Sequence, residues 1–211
     1  MVGSAMALDL ANNHDVFLSD NNKKSLAKIQ SQNNSIQIQQ LDVKNKNALS
    51  EWIQPADIVL LAVPGFLGYE TLKTIIEAGK HVVDISFAPE NVLDLNPLAK
   101  KNNVISIVDA GVAPGIPNYL LGYWNSRMNI ESFEYYVGGL PKNPTPPFYY
   151  KAPFSPIDVI EEYTRPARMM INGQLKTKPA LSEIETIFFE EVQRFKCESG
   201  TIFGIEVVPD V

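Results

Sequence analysis

The stretch Asp109-Ala110-Gly111-Val112-Ala113-Pro114-Gly115-Ile116-Pro117-Asn118 carries the most distinctive chemistry of the chain. Two glycines and two prolines make a rigid strand-to-helix loop. The helix start behind it favours a carboxylate or a carbonyl oxygen, with Gly111 and Val112 on a cofactor and Asn118 on a substrate. A second stretch, Phe148-Tyr149-Tyr150-Lys151-Ala152-Pro153-Phe154-Ser155-Pro156, is followed by Tyr163, Arg165 and Arg168. Aromatic walls with Lys and Arg suit a small molecule that bears an aliphatic chain and a carboxylate, and a solvated basic patch accounts for them equally well. His14 and His81 stand at strand starts, the wrong edge for catalysis, so a proton carrier is sought among Lys, Tyr, Asp and Glu. With one cysteine, Cys197, and two histidines, the sequence offers no zinc cluster, and a reducing cytoplasm is the expected compartment.

Those residues need a scaffold, and the pattern of residues 1–126 supplies one. Short β-branched runs at 16–18, 36–41, 58–63, 82–85 and 104–108 alternate with helical spacing at 22–30, 44–53, 69–78, 93–101 and 117–125, which predicts parallel strands joined by crossover helices. Ligands of such sheets bind beyond the carboxyl ends of the strands, which puts Asp20, Asp42, Ala62-Val63-Pro64-Gly65, Asp84-Ile85-Ser86 and Asp109-Ala110-Gly111 on the functional rim. Residues 127–211 read as α+β and mainly antiparallel: a strand at 130–137, a Pro-rich loop at 141–156, a helix at 157–163, a hairpin turning at Asn172-Gly173 and a strand at 202–208. The expected organisation is therefore a Rossmann-type doubly wound parallel sheet over 1–126 and a partial substrate or dimerisation domain over 127–211.

Composition narrows the partners. In 211 residues, 18 Lys and Arg against 24 Asp and Glu leave a net charge of −6, which excludes an electrostatic nucleic-acid binder. No apolar run approaches the ~20 residues that span a bilayer, and no targeting pattern follows Met1, so no membrane partner is expected.

The first strand of a dinucleotide-binding sheet is not visible. The helical run from Met1 leads straight to Val16-Phe17-Leu18-Ser19-Asp20, so Gly3 takes the place of the last glycine of a G-x-G-x-x-G loop and Asp20 that of the ribose ligand. The expectation is an N-terminally incomplete sheet without a strand between its second and fourth members. Asp20 favours NAD over NADP, because a carboxylate there repels a 2′-phosphate.

Five motifs, Asp109-Ala110-Gly111-Val112-Ala113-Pro114-Gly115, Tyr136-Val137-Gly138-Gly139-Leu140-Pro141, Glu162-Tyr163-Thr164-Arg165-Pro166-Ala167, Asn172-Gly173-Gln174 and Leu181-Ser182-Glu183-Ile184-Glu185, resemble in order and spacing the saccharopine dehydrogenase family, nearest its L-lysine 6-dehydrogenase-like branch. The resemblance implies a nicotinamide-linked oxidoreductase acting on a carbon that bears an amine, with an amino-acid substrate and a homodimer. It also implies Gly3, Asp20 and Ala62-Val63-Pro64 on the cofactor, Lys151 with Tyr150 as the catalytic pair, and Ser155 and Arg165 on the substrate side. The chain departs from lysine 6-dehydrogenases at Ile85-Ser86-Phe87-Ala88-Pro89-Glu90, which points away from lysine itself, and residues 194–207 look like a late strand of a shortened substrate domain. An inert nucleotide-binding or dimerisation module and a carboxynorspermidine dehydrogenase-like enzyme are the alternatives.

Overall fold

Asn22 and Asn45 start two of the helices by turning their side chains onto backbone N–H groups that no helical carbonyl reaches: Asn22 accepts from Lys24 and Ser25, Asn45 from Ala48. The computed structural model describes residues 2–133, 135, 137, 143, 145–146, 155–171 and 174–182. The chain divides into two compact units, Met1–Gly111 and Val112–Val211.

In the first unit the order is α1 (Val2–Leu10), β1 (Phe17–Asp20), α2 (Lys23–Gln32), β2 (Gln37–Gln40), α3 (Lys46–Trp52), β3 (Ile58–Leu61), α4 (Gly65–Glu77), β4 (His81–Asp84), α5 (Asn96–Lys101) and β5 (Ser106–Ile107). This is the predicted parallel α/β alternation, with α4 starting four residues ahead of the expected helix. A short 3-10 helix, Val92–Leu95, replaces the first turn of the helix expected at 93–101. Pro97 explains the break: it sits in the first turn of α5, where its missing N–H does no harm, and its ring would clash with the carbonyl of a preceding turn.

β1 pairs in parallel with β2, and β3 with β4 and β4 with β5, but the two ladders form separate sheets. The order β2-β1, then β3-β4-β5, is a doubly wound sheet with its central strand left out. Two cores follow. Ala7, Ile29 and Ile36 are buried with Leu8, Val16, Leu18 and Ile38 against them. A larger cluster runs from Leu41 and Leu61 through Leu72, Ile75 and Ile76 of α4 to Val104. The edge-to-face pair of Phe17 and Trp52, 6.0 Å between centroids, joins β1 to the helix layer of that larger core.

The second unit holds α6 (Ile116–Asn125), α7 (Pro156–Thr164) and the antiparallel strands β6 (Ala167–Ile171) and β7 (Gln174–Lys178). These match the expected helices and hairpin; the turn Asn172-Gly173 lies outside the described residues, as does the strand expected at 202–208. The strand expected at 130–137 is not formed at 130–133, 135 or 137, and no strand among the described residues pairs with that stretch. β-branched and aromatic content alone does not make a strand without a neighbouring ladder.

Candidate functional site

The carboxyl ends of β1, β2, β3, β4 and β5 carry the candidate rim. Asp20 ends β1, is exposed, and accepts the N–H of Asn22 at 2.7 Å. Asp42 follows β2, is exposed, and accepts the N–H of Lys44 at 3.0 Å. Ala62, exposed, follows β3, and Val63 and Pro64, half-buried, lead into α4, with Pro64 at its N-cap. Gly3, in the first turn of α1, faces this same point: a Cβ built on it would lie 3.4 Å from the Ala62 Cβ. The structure thus brings Gly3 and Ala62 together at the end of β3, with Asp20 and Asp42 at the ends of β1 and β2. A dinucleotide laid along strand ends finds adenosine-side carboxylates and a small-residue passage here, so the residues present fit that group in part.

Asp84 stands apart. Strand alternation puts it on the same face of β4 as Val82, toward α4, where it is 1% exposed. Its carboxylate accepts the Ser86 N–H at 2.8 Å and the Ser86 hydroxyl at 2.9 Å, and its carbonyl accepts the Ala110 N–H at 2.9 Å. Burial pushes its pKa above the usual carboxylate value, with the two Ser86 bonds pulling the other way. The residue expected on the cofactor is therefore turned inward and ties the loops after β4 and β5 together. Ser86, expected on the rim, instead meets Gly68 on α4, which the sequence did not single out: a Cβ on Gly68 would run into the Ser86 hydroxyl and come 3.0 Å from its Cβ.

Gly111 closes the first unit. Before it, Asp109 adopts a positive φ of 50°, uncommon for a residue with a side chain. His81 keeps a structural role at the start of β4, its Nδ1 accepting the Ile105 N–H at 3.0 Å.

In the second unit, Val112 is 65% exposed, and Asn118 lies in the first turn of α6, half-buried. Ser155 is the N-cap of α7 without a side-chain cap bond. Arg165 ends α7 with its guanidinium on the Glu161 carboxylate, one helical turn back. An open depression of about 370 Å³ lies between the end of α7 and β7, lined by Tyr163, Thr164, Pro166, Thr177 and Lys178. Lys151 and Tyr150, the expected catalytic pair, lie outside the described residues. Among the described residues no group of three or more His, Cys, Asp or Glu could hold a metal, and no helix is long and apolar enough to cross a membrane.

Glu162 was not singled out from the sequence, although its spacing of four from Asp158 marks two carboxylates on one helix face. Burial, and then the nearby Asp158 charge, push its pKa up to about 7. A carboxyl raised from 4.5 to about 7 stabilises the fold most below pH 4.5, and that contribution is lost as pH rises through about 7. Thermal melts at pH 5 and pH 8 should therefore differ, with the lower midpoint at pH 8. Glu162→Gln should remove most of the difference, which is worth about 1 to 2 kcal/mol after solvent screening. Equal pH dependence in both proteins would show Glu162 to be a normal carboxylate.

Residues 1–107 match a family model described as the saccharopine dehydrogenase NADP binding domain, and residues 111–206 match the saccharopine dehydrogenase C-terminal domain. Among curated proteins, an alpha-aminoadipic semialdehyde synthase from Arabidopsis thaliana is 25% identical over 81% of this chain and 16% of its own length. A saccharopine dehydrogenase [NADP(+), L-glutamate-forming] from Schizosaccharomyces pombe is 28% identical over 64% of this chain and 32% of its own. The chain thus spans about a sixth to a third of these relatives. In fold, it is similar to an apo saccharopine dehydrogenase (L-Glu forming) from Saccharomyces cerevisiae, at a TM-score of 0.59 and 21% identity over 88% of this chain and 44% of that one.

Proposed function

The chain belongs to the saccharopine dehydrogenase family, and on that premise we propose that it serves an oxidoreductase which binds NADP(H) and acts on the CH–NH carbon of a saccharopine-like amino acid. The observation that carries this reading is the accessible rim at the carboxyl ends of parallel strands, inside the region that matches an NADP-binding model. The bound cofactor supplies the hydride acceptor or donor. Around it, Asp42 and Asp20 would face the adenosine end, and Ala62, Val63 and Pro64 would leave room for its backbone to pass. Asp84 acts as a positioning residue, fixing Ser86 and the Ala110 segment from below the rim.

The match to an NADP-binding model shifts the expected cofactor away from NAD. Asp20 would repel a 2′-phosphate, but its carboxylate is bonded to the Asn22 N–H, and exposed Lys23 and Lys24 follow at the start of α2. Two cations beside one carboxylate leave that corner net positive. The depression beside the end of α7, with Tyr163 and Lys178 in its lining, supports a small substrate that bears a carboxylate.

The test is a fluorescence titration with NADPH and NADH, then absorbance at 340 nm with saccharopine, lysine and carboxynorspermidine. NADPH should bind at least about tenfold more tightly than NADH, and Asp20→Ala should weaken NADH by about tenfold while sparing NADPH. Saccharopine should be the substrate turned over. Failure of both nucleotides to bind would overturn the reading. The separation of β1 from β3 favours a second one, a nucleotide-binding module without turnover, which binding with no change at 340 nm would establish.

A further inference from the structure

Phe17, Trp52, Phe66, Tyr69 and Phe87 are the aromatic side chains of residues 2–111, and Phe66 alone among them is exposed, at 54%. The other four are half-buried, with Phe17 edge to face on Trp52 and Tyr69 packed on the larger core. A single exposed apolar residue is ordinary on a protein surface and by itself asks for no ligand. What sets Phe66 apart is its place.

α4 buries Leu72, Ile75 and Ile76, and helical spacing puts Phe66, Glu70, Lys73 and Glu77 in one row on its opposite side. Three residues of that row are charged, as a solvent face requires, and the one at the rim end is a phenyl ring. Cα–Cβ bonds in a helix tilt toward its N-terminus, so a side chain in the first turn reaches back past the helix start. For Phe66 that direction is the exit of β3, where Ala62 and Pro64 stand. The backbone beneath the ring is fixed. The Leu67 N–H meets the Pro64 carbonyl at 2.9 Å, and the Thr71 hydroxyl meets the Leu67 carbonyl at 2.6 Å. Gly68 seats this turn against Ser86 and Ala88 of the loop after β4.

We propose that Phe66 is the aromatic contact for the nicotinamide half of the dinucleotide, an assignment that rests on the proposed function. The carboxylates suited to the adenosine end, Asp20 and Asp42, stand at the ends of β1 and β2, and Phe66 stands beyond them at the end of β3. The ring that reaches α4 is therefore the one remote from adenosine. A phenyl group does two things for it. Stacking or edge contact buries apolar area on both partners. The negative face of the phenyl ring also attracts the cationic, oxidised nicotinamide more than the neutral, reduced one. Leucine at this position would keep the first contribution and lose the second.

The test titrates the full chain and its variants Phe66→Ala, Phe66→Leu and Phe66→Trp with NADP+, NADPH and adenosine 2′,5′-bisphosphate, which carries no nicotinamide. Phe66→Ala should weaken NADP+ by at least about fivefold and NADPH by about threefold, with the bisphosphate unchanged. Phe66→Leu should recover most of the NADPH affinity and little of the NADP+ affinity. Phe66→Trp should keep both, and its added tryptophan emission should fall as NADPH binds and stay constant with the bisphosphate. Because the ring is exposed, the thermal midpoints of all three variants should lie within about 2 °C of the parent, which shows that they fold. Unchanged affinity in Phe66→Ala, or an equal loss for all three ligands, would overturn the role of Phe66 and leave the proposed cofactor standing. A parent chain that binds neither NADP+ nor NADPH would overturn both.

Discussion

Asp84→Ala should lower the unfolding free energy by about 3 kcal/mol, because it strands two buried donors, each worth about 1 to 3 kcal/mol when left unpaired. The donors are the Ser86 N–H and hydroxyl, both within 2.9 Å of the carboxylate in a place where neither side chain meets water. Asp84→Asn keeps both bonds, accepting the N–H through its carbonyl and donating its amide N–H to the Ser86 oxygen, and it removes a buried charge. It should stay within about 1 kcal/mol of the parent at neutral pH. The two variants also differ with pH. Burial raises the Asp84 pKa in the folded chain, so its protonated form is the better fit, and stability falls as pH climbs from the unfolded carboxyl value through the raised one. That slope should vanish in Asp84→Asn. Urea unfolding of all three proteins at two pH values checks this, and an alanine variant as stable as the asparagine one would show that Ser86 finds other partners.

Gly115→Ala should cost about 2 to 3 kcal/mol of stability in the second unit. Gly115 is the N-cap of α6, buried, with φ 142° and ψ −90°, a conformation closed to residues with a Cβ. Pro117 follows directly in the first turn, so the chain cannot relax by sliding the helix start one residue. Tyr119, whose N–H reaches the Gly115 carbonyl at 3.1 Å, should report the change as loss of amide protection at the start of α6. A melt and an exchange profile identical to the parent would show that the loop has a second, unstrained course.

The parallel α/β alternation was legible because apolar runs and turn residues alternate locally, and local pattern is what periodicity reads. The separation of β1 from β3 was legible too, because the strand order of such sheets leaves no other place for the missing member. Asp84 shows where reading stopped. It ends its strand like Asp20, but its partner Leu61 and its neighbour Val82 commit that face to α4, and only the sheet register reveals which way a strand-end carboxylate turns. The contact of Ser86 with Gly68 was invisible for the same reason: it spans 18 residues of chain and depends on how α4 lies on the sheet. The hairpin of β6 and β7 was read from an Asn-Gly turn, whereas the aromatic run at 130–137 had no such local anchor.

The first unit's two hydrophobic clusters are unequal, three buried residues in one and eleven in the other. A cooperative fold needs a shared centre, and here Phe17 against Trp52, Gly3 against Ala62 and the Leu41 N–H on the Asp20 carbonyl are among the described links between a heavy half and a light one. The light half, α1 through β2, is therefore expected to open before the rest of the unit, which faster amide exchange and earlier proteolytic cuts in α1 to β2 would show. The same corner carries Asp20 and the start of α1. On the proposed function, that corner is the part a bound nucleotide would most stiffen, so NADPH should slow its proteolysis.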